Sequence, residues 1–155
     1  MSQIAAIYSA LAAMTVTVGS ITPVVYGPAS LPKTLDTVQT PCRVLDPSYG
    51  PDAARFRFIG HGDSTADVYW TITDLLLWRA QGQGIGPLTV AGDLTAYTGA
   101  YLEAARAKRA LVAGESVEWQ AVDPQISFGL EWPIGTGRYF YGVVMTLTIL
   151  EVLSG

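Results

Sequence analysis

The sequence of 155 residues has few charged side chains and almost no cysteine or histidine. Lys, Arg, Asp and Glu make up 14% of the residues, whereas ordinary soluble domains contain roughly 25%. Cys42 is the only cysteine, which excludes an intramolecular disulfide and a zinc site built from several cysteines. His61 is the only histidine. A His-rich metal site is therefore excluded, and a Ser-His-Asp triad would have to use this one imidazole.

The overall balance of charge and apolar content excludes two further classes of protein. Half of the residues are hydrophobic, the net charge is −4 and the mean hydropathy is +0.31. Intrinsic disorder is excluded, because disordered chains are rich in charge and poor in apolar residues. The acidic balance argues against a nucleic-acid clamp, which needs a basic face. A monomer of this mass exposes roughly 7,500 Å², so its surface is under-charged for a protein that stays alone in water.

The first 32 residues contain no charged side chain, which raises the question of a membrane span. The window from Ile4 to Thr22 is apolar on average, but hydroxyl side chains, Gly19 and Pro23 interrupt it. No Lys or Arg flanks the window to set an orientation, and Lys33 is the first charged residue. A signal peptide would begin with a positive region, which this start lacks. We expect a short buried helix followed by a strand, with no membrane contact.

Apolar residues spaced by three and four positions predict two helices. The first follows Ser2, a candidate N-cap, and has its apolar face within residues 4–14. The second covers residues 89–111, with Pro87 near its first turn. Its apolar stripe consists of Leu94, Tyr97, Tyr101 and Ala105.

Alternating and β-branched segments predict the strands of one sheet. They cover residues 21–26, 42–45, 55–59, 65–78, 117–122, 126–132 and 139–153. Short connections at Asp123-Pro124 and Pro133–Gly137 indicate an antiparallel meander. The predicted fold class is α+β, with an antiparallel sheet packed with a short N-terminal helix and one long central helix. We expect a single domain over residues 1–155.

Three local patterns suggest chemistry, and each has a plainer structural explanation. The glycines at 82, 84 and 86 precede a helix but lack the ending of a phosphate loop, so they favour a flexible loop. His61, Asp63 and Ser64 lie in one Gly-rich turn, whereas a catalytic triad is assembled by the fold. Glu118 and Glu131 either face each other across neighbouring strands or are ordinary solvent-face charges. No catalytic, cofactor-binding or metal-binding residue is predicted.

The aromatic residues allow two interpretations. Four tryptophans on predicted strands either cover the core face of the sheet or contribute to a protein–protein interface. They are Trp70, Trp78, Trp119 and Trp132. In residues 55–58 two arginines alternate with two phenylalanines. Such a pattern can bind single-stranded nucleic acid, because aromatic rings stack on the bases and cations contact the backbone. Two arginines in an acidic chain are too few for this kind of binding.

Four segments follow one another in a characteristic order. They are a strand ending in VVYG, the pair LP followed by PCRVL, a helix of the type LTAYTGAYLEAARA, and YFYG at the entry to an apolar C-terminal strand. This order resembles the tail terminator family of long-tailed bacteriophages and related head–tail joining proteins, over nearly the whole chain. The loop Asp46–Ala54 matches no fixed pattern of that family.

The resemblance implies a structural virion protein rather than an enzyme. Subunits of that family form a ring, which we expect to be hexameric, and need no cofactor. The ring caps the tail tube, ends its polymerisation and meets the head-side connector or stopper protein, while DNA passes through the lumen without specific binding. We therefore expect partners of these kinds, assembly in the host cytoplasm and a final place at the tail–neck junction of the virion.

Two polar, Gly/Pro-rich loops are the candidate axial contacts of such a ring, because loops of this composition project from a sheet. The residues proposed for these contacts are Asp46, Pro47, Tyr49, Asp52, Gln81 and Gln83. Two alternative functions remain open. One is a neck stopper or minor tail subunit, and the other is a small α+β ligand-binding or enzymatic domain.

Overall fold

The computed structural model of the chain describes residues 2–32, 39–49, 56–82, 84, 86–108, 110–112, 114 and 116–154. The elements are helix α1 (Ile4–Ala13), strands β1 (Val24–Tyr26), β2 (Cys42–Val44), β3 (Phe56–Gly60) and β4 (Ala66–Ala80), helix α2 (Pro87–Ala107), and strands β5 (Val117–Glu131) and β6 (Tyr139–Leu153). Pro28–Ser30 forms a 3₁₀ turn. The predicted α+β fold, with a short N-terminal helix and a long central helix, is confirmed.

The strands within the described residues form one mixed sheet of six, in the order β1-β2-β4-β6-β5. β2 and β3 share one edge of β4, where β2 pairs with Leu75–Leu77 and β3 with Ala66–Trp70. β6 pairs with the other edge of β4, and β5 pairs with β6, both antiparallel. The predicted sheet is antiparallel throughout, but β1 and β2 are parallel. The connection between them, residues 27–41, is long enough to return the chain to the end at which β1 begins.

Both described helices pack on one face of the sheet, which we call the helix face. Alternate residues of β4 and β6 point to this face, as the predicted period of two requires. The largest apolar cluster lies here and includes Ile7, Leu11, Ile72, Leu76, Leu94, Tyr97, Tyr101, Val143, Met145, Leu147 and Ile149. The predicted apolar stripe of α2 is confirmed, since its four members are buried.

The opposite face, which we call the open face, is covered by the described residues at one end only. A second apolar cluster covers that end and comprises Cys42, Val44, Leu75, Leu77, Leu130, Trp132 and Phe140. Towards the other end, Thr71 and Thr73 of β4 pair with Thr148 and Thr146 of β6. These threonines are half-buried, so this half of the sheet presents a polar, uncharged surface.

The prediction of two strands between residues 117 and 132 is wrong, because β5 is continuous through Asp123-Pro124. Pro124 pairs with Met145 inside the strand. Proline lacks an N–H and is tolerated in a sheet on edge strands, and β5 is an edge strand. Glu118 and Glu131 therefore lie near opposite ends of one strand and cannot form a carboxylate pair.

The start of α1 is stabilised by a residue distant in sequence rather than by Ser2 alone. The helix begins at Ile4, its N-cap residue Gln3 makes no side-chain cap, and the N–H of Ile4 donates to Ser2 Oγ at 3.4 Å. The backbone N–H of Gln3 donates to Glu151 Oε2 at 2.6 Å, and Ser2 Oγ donates to Glu151 Oε1 at 3.0 Å. A carboxylate at this position satisfies a free N–H and interacts favourably with the positive end of the helix dipole.

The thiol of Cys42 is expected to be inert in the folded chain. Cys42 is fully buried in β2, and burial raises the pKa of its thiol to about 12. Below pH of about 8.5, the pKa of a free thiol, this burial does not make stability depend on pH. Above that value the unfolded chain ionises and the folded chain does not, so stability falls with rising pH. A thiol reagent at pH 8 should react with the chain in urea but not with the native chain, and fast native labelling would contradict this.

Candidate functional site

The predicted axial loops meet the turn between β5 and β6 at one end of the sheet. Trp132 Nε1 donates to Asp46 Oδ2 at 3.0 Å. The N–H of Gln81 donates to the carbonyl of Tyr139 at 3.0 Å, and its side chain donates to the carbonyl of Phe128. We call this region, residues 46–49, 81, 128 and 132–139, the hairpin end. The fold thus brings the described parts of both loops to one place.

Asp46 anchors its loop and does not project from it. Its side chain is buried, and Oδ1 accepts hydrogen bonds from the N–H of Ser48 at 2.8 Å and from Ser48 Oγ at 2.6 Å. Because Trp132 donates to Oδ2, both carboxylate oxygens of Asp46 accept hydrogen bonds from within the chain. Asp46 is therefore unavailable for the axial contact that the sequence suggested for it.

Of the other candidate axial residues, three are described by the structure and two are not. Pro47 and Tyr49 are half-buried, and Tyr49 packs against the second apolar cluster. Burial, with a smaller effect from the charge of Glu131, raises the pKa of Tyr49. Gln81 is exposed, but its side-chain amide donates a hydrogen bond to the backbone carbonyl of Phe128. Asp52 and Gln83 lie outside the described residues.

Sequence analysis missed the apolar side chains that the hairpin end exposes. Ile134 is 57% exposed, Tyr139 45% and Phe128 44%. The turn beneath them is held by Glu131, whose Oε1 and Oε2 accept the N–H groups of Gly135 at 2.9 Å and Gly137 at 3.0 Å. These two hydrogen bonds lower the pKa of Glu131. Ile134 thus lies on an ordered turn. An isoleucine within the turn signal PIGTG is the sequence feature that could have indicated its exposure.

The tryptophans divide between core and half-buried positions. Trp78 and Trp132 are both 3% exposed and belong to the core. Trp70 and Trp119 are half-buried, and their indole N–H groups donate within the chain, to Glu151 Oε1 at 3.0 Å and to the carbonyl of Lys108 at 2.9 Å. The core interpretation therefore holds for two of the four, and the half-buried pair keeps an exposed ring surface.

His61 lies in the turn between β3 and β4, as the sequence predicts. Its N–H donates to the carbonyl of Thr65 at 2.8 Å. Asp63 Oδ1 accepts a hydrogen bond from Thr65 Oγ1 at 2.5 Å, and this hydrogen bond lowers the pKa of Asp63. The imidazole Nε2 lies 3.3 Å from Asp67 Oδ2. Asp63 thus stabilises the turn, and Ser64 donates no described hydrogen bond to the imidazole.

The most concentrated group of polar side chains is buried and joins four elements of the fold. Arg43 on β2 donates from Nη2 to Asp74 Oδ2 of β4 at 2.6 Å. It also donates to the carbonyls of Leu11 at 3.0 Å and Met14 at 2.5 Å, at the end of α1. Tyr101 of α2 donates to Asp74 Oδ2 at 2.8 Å. Burial would lower the pKa of Arg43, but Asp74 outweighs that effect and raises it.

This cluster has no access to a substrate, because its members are almost completely excluded from solvent. Arg43 and Asp74 are each 1% exposed, and Tyr101 is fully buried. Burial, together with the charge of Asp74, raises the pKa of Tyr97 and Tyr101 well above the ordinary value. The tyrosines therefore stay neutral, and the cluster stabilises the fold rather than performing chemistry.

Two of the outer strands of the sheet, β3 and β5, expose further apolar side chains. Phe56 and Phe58 of β3 are 62% and 59% exposed, and the ring of Phe56 lies 5.4 Å from that of Trp70. Ile126 and Phe128 of β5 are 38% and 44% exposed. Exposed aromatic and aliphatic groups that cluster in this way mark sites of association.

Two classes of site are not found within the described residues. No group of three or more His, Cys, Asp or Glu side chains there is placed to hold a metal ion. No helix in the described part of the chain is long and apolar enough to cross a membrane. In comparisons with known proteins, no family model, curated protein or solved structure matches the chain.

Proposed function

We propose that the chain is the subunit of a ring that caps a phage tail tube, ends its polymerisation and joins the tail to the head-side connector. The proposal starts from the resemblance of the sequence to tail terminators. The observation that carries it furthest is a charge-poor surface whose exposed apolar side chains are grouped at the sheet edges and at the hairpin end.

The accessible surface of the chain carries few charges. The chain has nine Lys and Arg and 13 Asp and Glu residues, or one charge per about 380 Å² of its 8303 Å² of accessible surface. The usual content of charged residues, counted in the same way, would give one per about 210 Å². Arg43, Asp46, Asp74 and Glu151 are buried, so at most 18 charges remain at the surface. A surface of this kind is typical of a protein that buries much of it against partners.

The positions of the apolar groups suit a ring subunit. A ring requires two different lateral surfaces on each copy, because each copy gives one patch and receives another. The edges formed by β3 and β5 lie on opposite sides of the sheet and supply two such surfaces. A ring that stacks on other proteins also needs an axial surface, and the hairpin end supplies Ile134 and Tyr139. No residue need perform chemistry in this function.

The distribution of charge fits passage of DNA without retention. Binding of a phosphate backbone depends on lysines and arginines placed along its path. The open face has threonines at its centre and few cations, among which Arg57 lies at its border. We expect DNA to meet no continuous basic surface on this side of the subunit.

Replacing Ile134 tests whether the hairpin end is an axial contact. Ile134→Asp places a charge at the tip of an ordered turn and should leave the ring intact but abolish its capture by tube ends or by the connector. Leu88→Asp is the matched control, since Leu88 is 93% exposed in the first turn of α2, where a carboxylate favours the helix. Pull-down of each purified ring with tail tubes measures the effect. Normal capture of the Ile134→Asp ring would contradict the assignment.

His61→Ala separates this function from a His-dependent enzyme. The His61–Asp67 pair is exposed, and pairs of this kind contribute at most about 1 kcal/mol. We expect unchanged ring formation and tube capping and only a small change in the denaturant midpoint. Loss of assembly or of a catalytic activity in this variant would contradict the proposed function. A gold label on the chain should lie at the head-side end of the tail, and a label at the tail tip would favour a minor tail subunit.

A further inference from the structure

Three strands have an outer edge with no partner strand among the described residues: β5 on one side of the sheet, and β1 and β3 on the other. The edges of β3 and β5 are the ones compared below. β3 pairs with β4 on one side, and β5 pairs with β6 on one side. Edge strands with exposed N–H and C=O groups are surfaces on which another chain can dock. The question is whether the two edges are alike, as a two-fold contact requires, or complementary, as a ring requires.

The β3 edge is apolar on the helix face and cationic on the open face. Phe56 and Phe58 pair with Trp70 and Val68 of β4, which point to the helix face. Arg57 pairs with Tyr69 and therefore points to the open face. No acidic residue occurs in β3, whose sequence is FRFIG. The edge thus presents two exposed aromatic rings on one side and a guanidinium on the other.

The β5 edge has the matching arrangement. Val122, Pro124 and Ile126 pair with Leu147, Met145 and Val143 of β6, whose side chains lie in the helix-face core. Asp123 lies between them and points to the open face, as does Glu118, which pairs with Leu150. β5 contains no Lys or Arg, since its sequence is VEWQAVDPQISFGLE. This edge is apolar on the helix face and anionic on the open face.

The strand directions also agree with a contact between the two edges. β3 runs opposite to β4, β4 opposite to β6, and β6 opposite to β5. β3 and β5 therefore run in opposite directions within one copy. When two copies stand side by side, β5 of one and β3 of the next are antiparallel, which is the more stable arrangement of neighbouring strands. Because β1 lies beyond β2 at the level of Leu75–Leu77, the second copy's β5 must diverge from the plane of the first sheet beyond Ile126.

We propose that β3 of one copy lies antiparallel against β5 of a second copy, with Arg57 opposite Asp123. In this register Phe56 falls opposite Pro124 and Phe58 opposite Val122, so both rings contact apolar residues on the helix face. Pro124 supplies no N–H, and the contact depends on these side chains more than on a continuous ladder of hydrogen bonds. The inference rests on the proposed ring and names the surface through which its copies join.

Charge reversal tests the pairing directly. Arg57→Glu and Asp123→Arg each place like charges opposite each other, which costs several kcal/mol at an interface. Each single variant is expected to weaken self-association at least tenfold, and the double variant to recover most of it. Arg79→Glu is the control, because it changes the net charge equally at an exposed position of the central strand β4. Analytical ultracentrifugation of the full chain, with circular dichroism to confirm folding, supplies the readout.

Engineered cysteines give an independent test. Arg57→Cys and Asp123→Cys in one chain lie on opposite edges of the sheet and cannot bond within a copy, and Cys42 is buried. Oxidation of the assembled ring should give a ladder of cross-linked copies, whereas Arg57→Cys alone should not. A ring that forms normally without this ladder, or that tolerates Arg57→Glu as it tolerates Arg79→Glu, overturns the contact and leaves the ring standing. A wild-type chain that stays monomeric, both at high concentration and with tail tubes, overturns the ring and the contact together.

Discussion

Gly142→Ala is expected to lower the free energy of unfolding by about 4 kcal/mol or more, one of the largest effects of a single methyl group in this chain. Gly142 pairs with Leu77 where β6 crosses the bulge of β4. A Cβ at this position would overlap the carbonyl oxygen of Leu76 and crowd its carbonyl carbon. Both groups are backbone at the centre of the sheet, so the clash cannot be relieved by turning a flexible side chain.

Gly99→Ala is the matched control for this prediction. Gly99 lies on the exposed side of α2, where an added Cβ meets nothing within 4 Å. Alanine has the higher helix propensity, and the substitution should raise stability by about 0.5–1 kcal/mol. Urea unfolding of the two variants should therefore shift the midpoint in opposite directions. A Gly142→Ala chain with the wild-type midpoint would show that β6 and β4 are farther apart than described.

Asp74→Ala is expected to cost about 3–5 kcal/mol, because it leaves the buried guanidinium of Arg43 without its counter-charge. Tyr101 would lose its acceptor in the same substitution. Arg43 also donates hydrogen bonds to the last carbonyls of α1. If the guanidinium shifts after the loss of Asp74, these hydrogen bonds weaken and α1 should become less stable. The prediction concerns stability alone, since the cluster is remote from solvent.

The double substitution Arg43→Met with Asp74→Leu separates charge from packing. Replacing both members of a buried ion pair by apolar side chains of similar volume is often close to neutral. The double variant should therefore recover most of the stability that Asp74→Ala loses, measured by chemical denaturation at pH 7. A double variant as unstable as the single one would mean that the hydrogen bonds to α1, rather than the ion pair, dominate.

The sequence predicted the regular elements best where the local signal was uninterrupted. The sequence predicts β6 with the boundaries that the structure has, because an uncharged run rich in β-branched residues fills all but its last three positions. β5 was divided in two, because Asp123-Pro124 is a turn signal in most contexts. Its position at the sheet edge, where a missing N–H is harmless, is a property of the whole fold that local sequence does not contain.

Interactions between distant residues were beyond local pattern analysis for the same reason. Asp46 stands in a sequence typical of an exposed loop, but its partner Trp132 is 86 residues away. Glu151 accepts the N–H of Gln3 at the start of α1 over a separation of 148 residues. The burial of both carboxylates becomes visible only when the strands are placed side by side.

The candidate surfaces were partly visible in the sequence. The alternation of Phe56 and Phe58 with arginine predicts a strand with one polar face, but gives no reason to connect it with β5. That connection depends on strand order, on direction and on which residues share a face. Ile134 lies within the predicted turn Pro133–Gly137 and Tyr139 follows it, yet the approach of this turn to Asp46 and Gln81 follows from the tertiary structure.

Electron microscopy of growing tail tubes with the purified chain added is the most direct test of the proposed ring. The account predicts a closed ring of copies with a central channel on one end of each tube, and elongation that stops once the ring is bound. Tubes that continue to grow at the same rate, with no added density at either end, would contradict it.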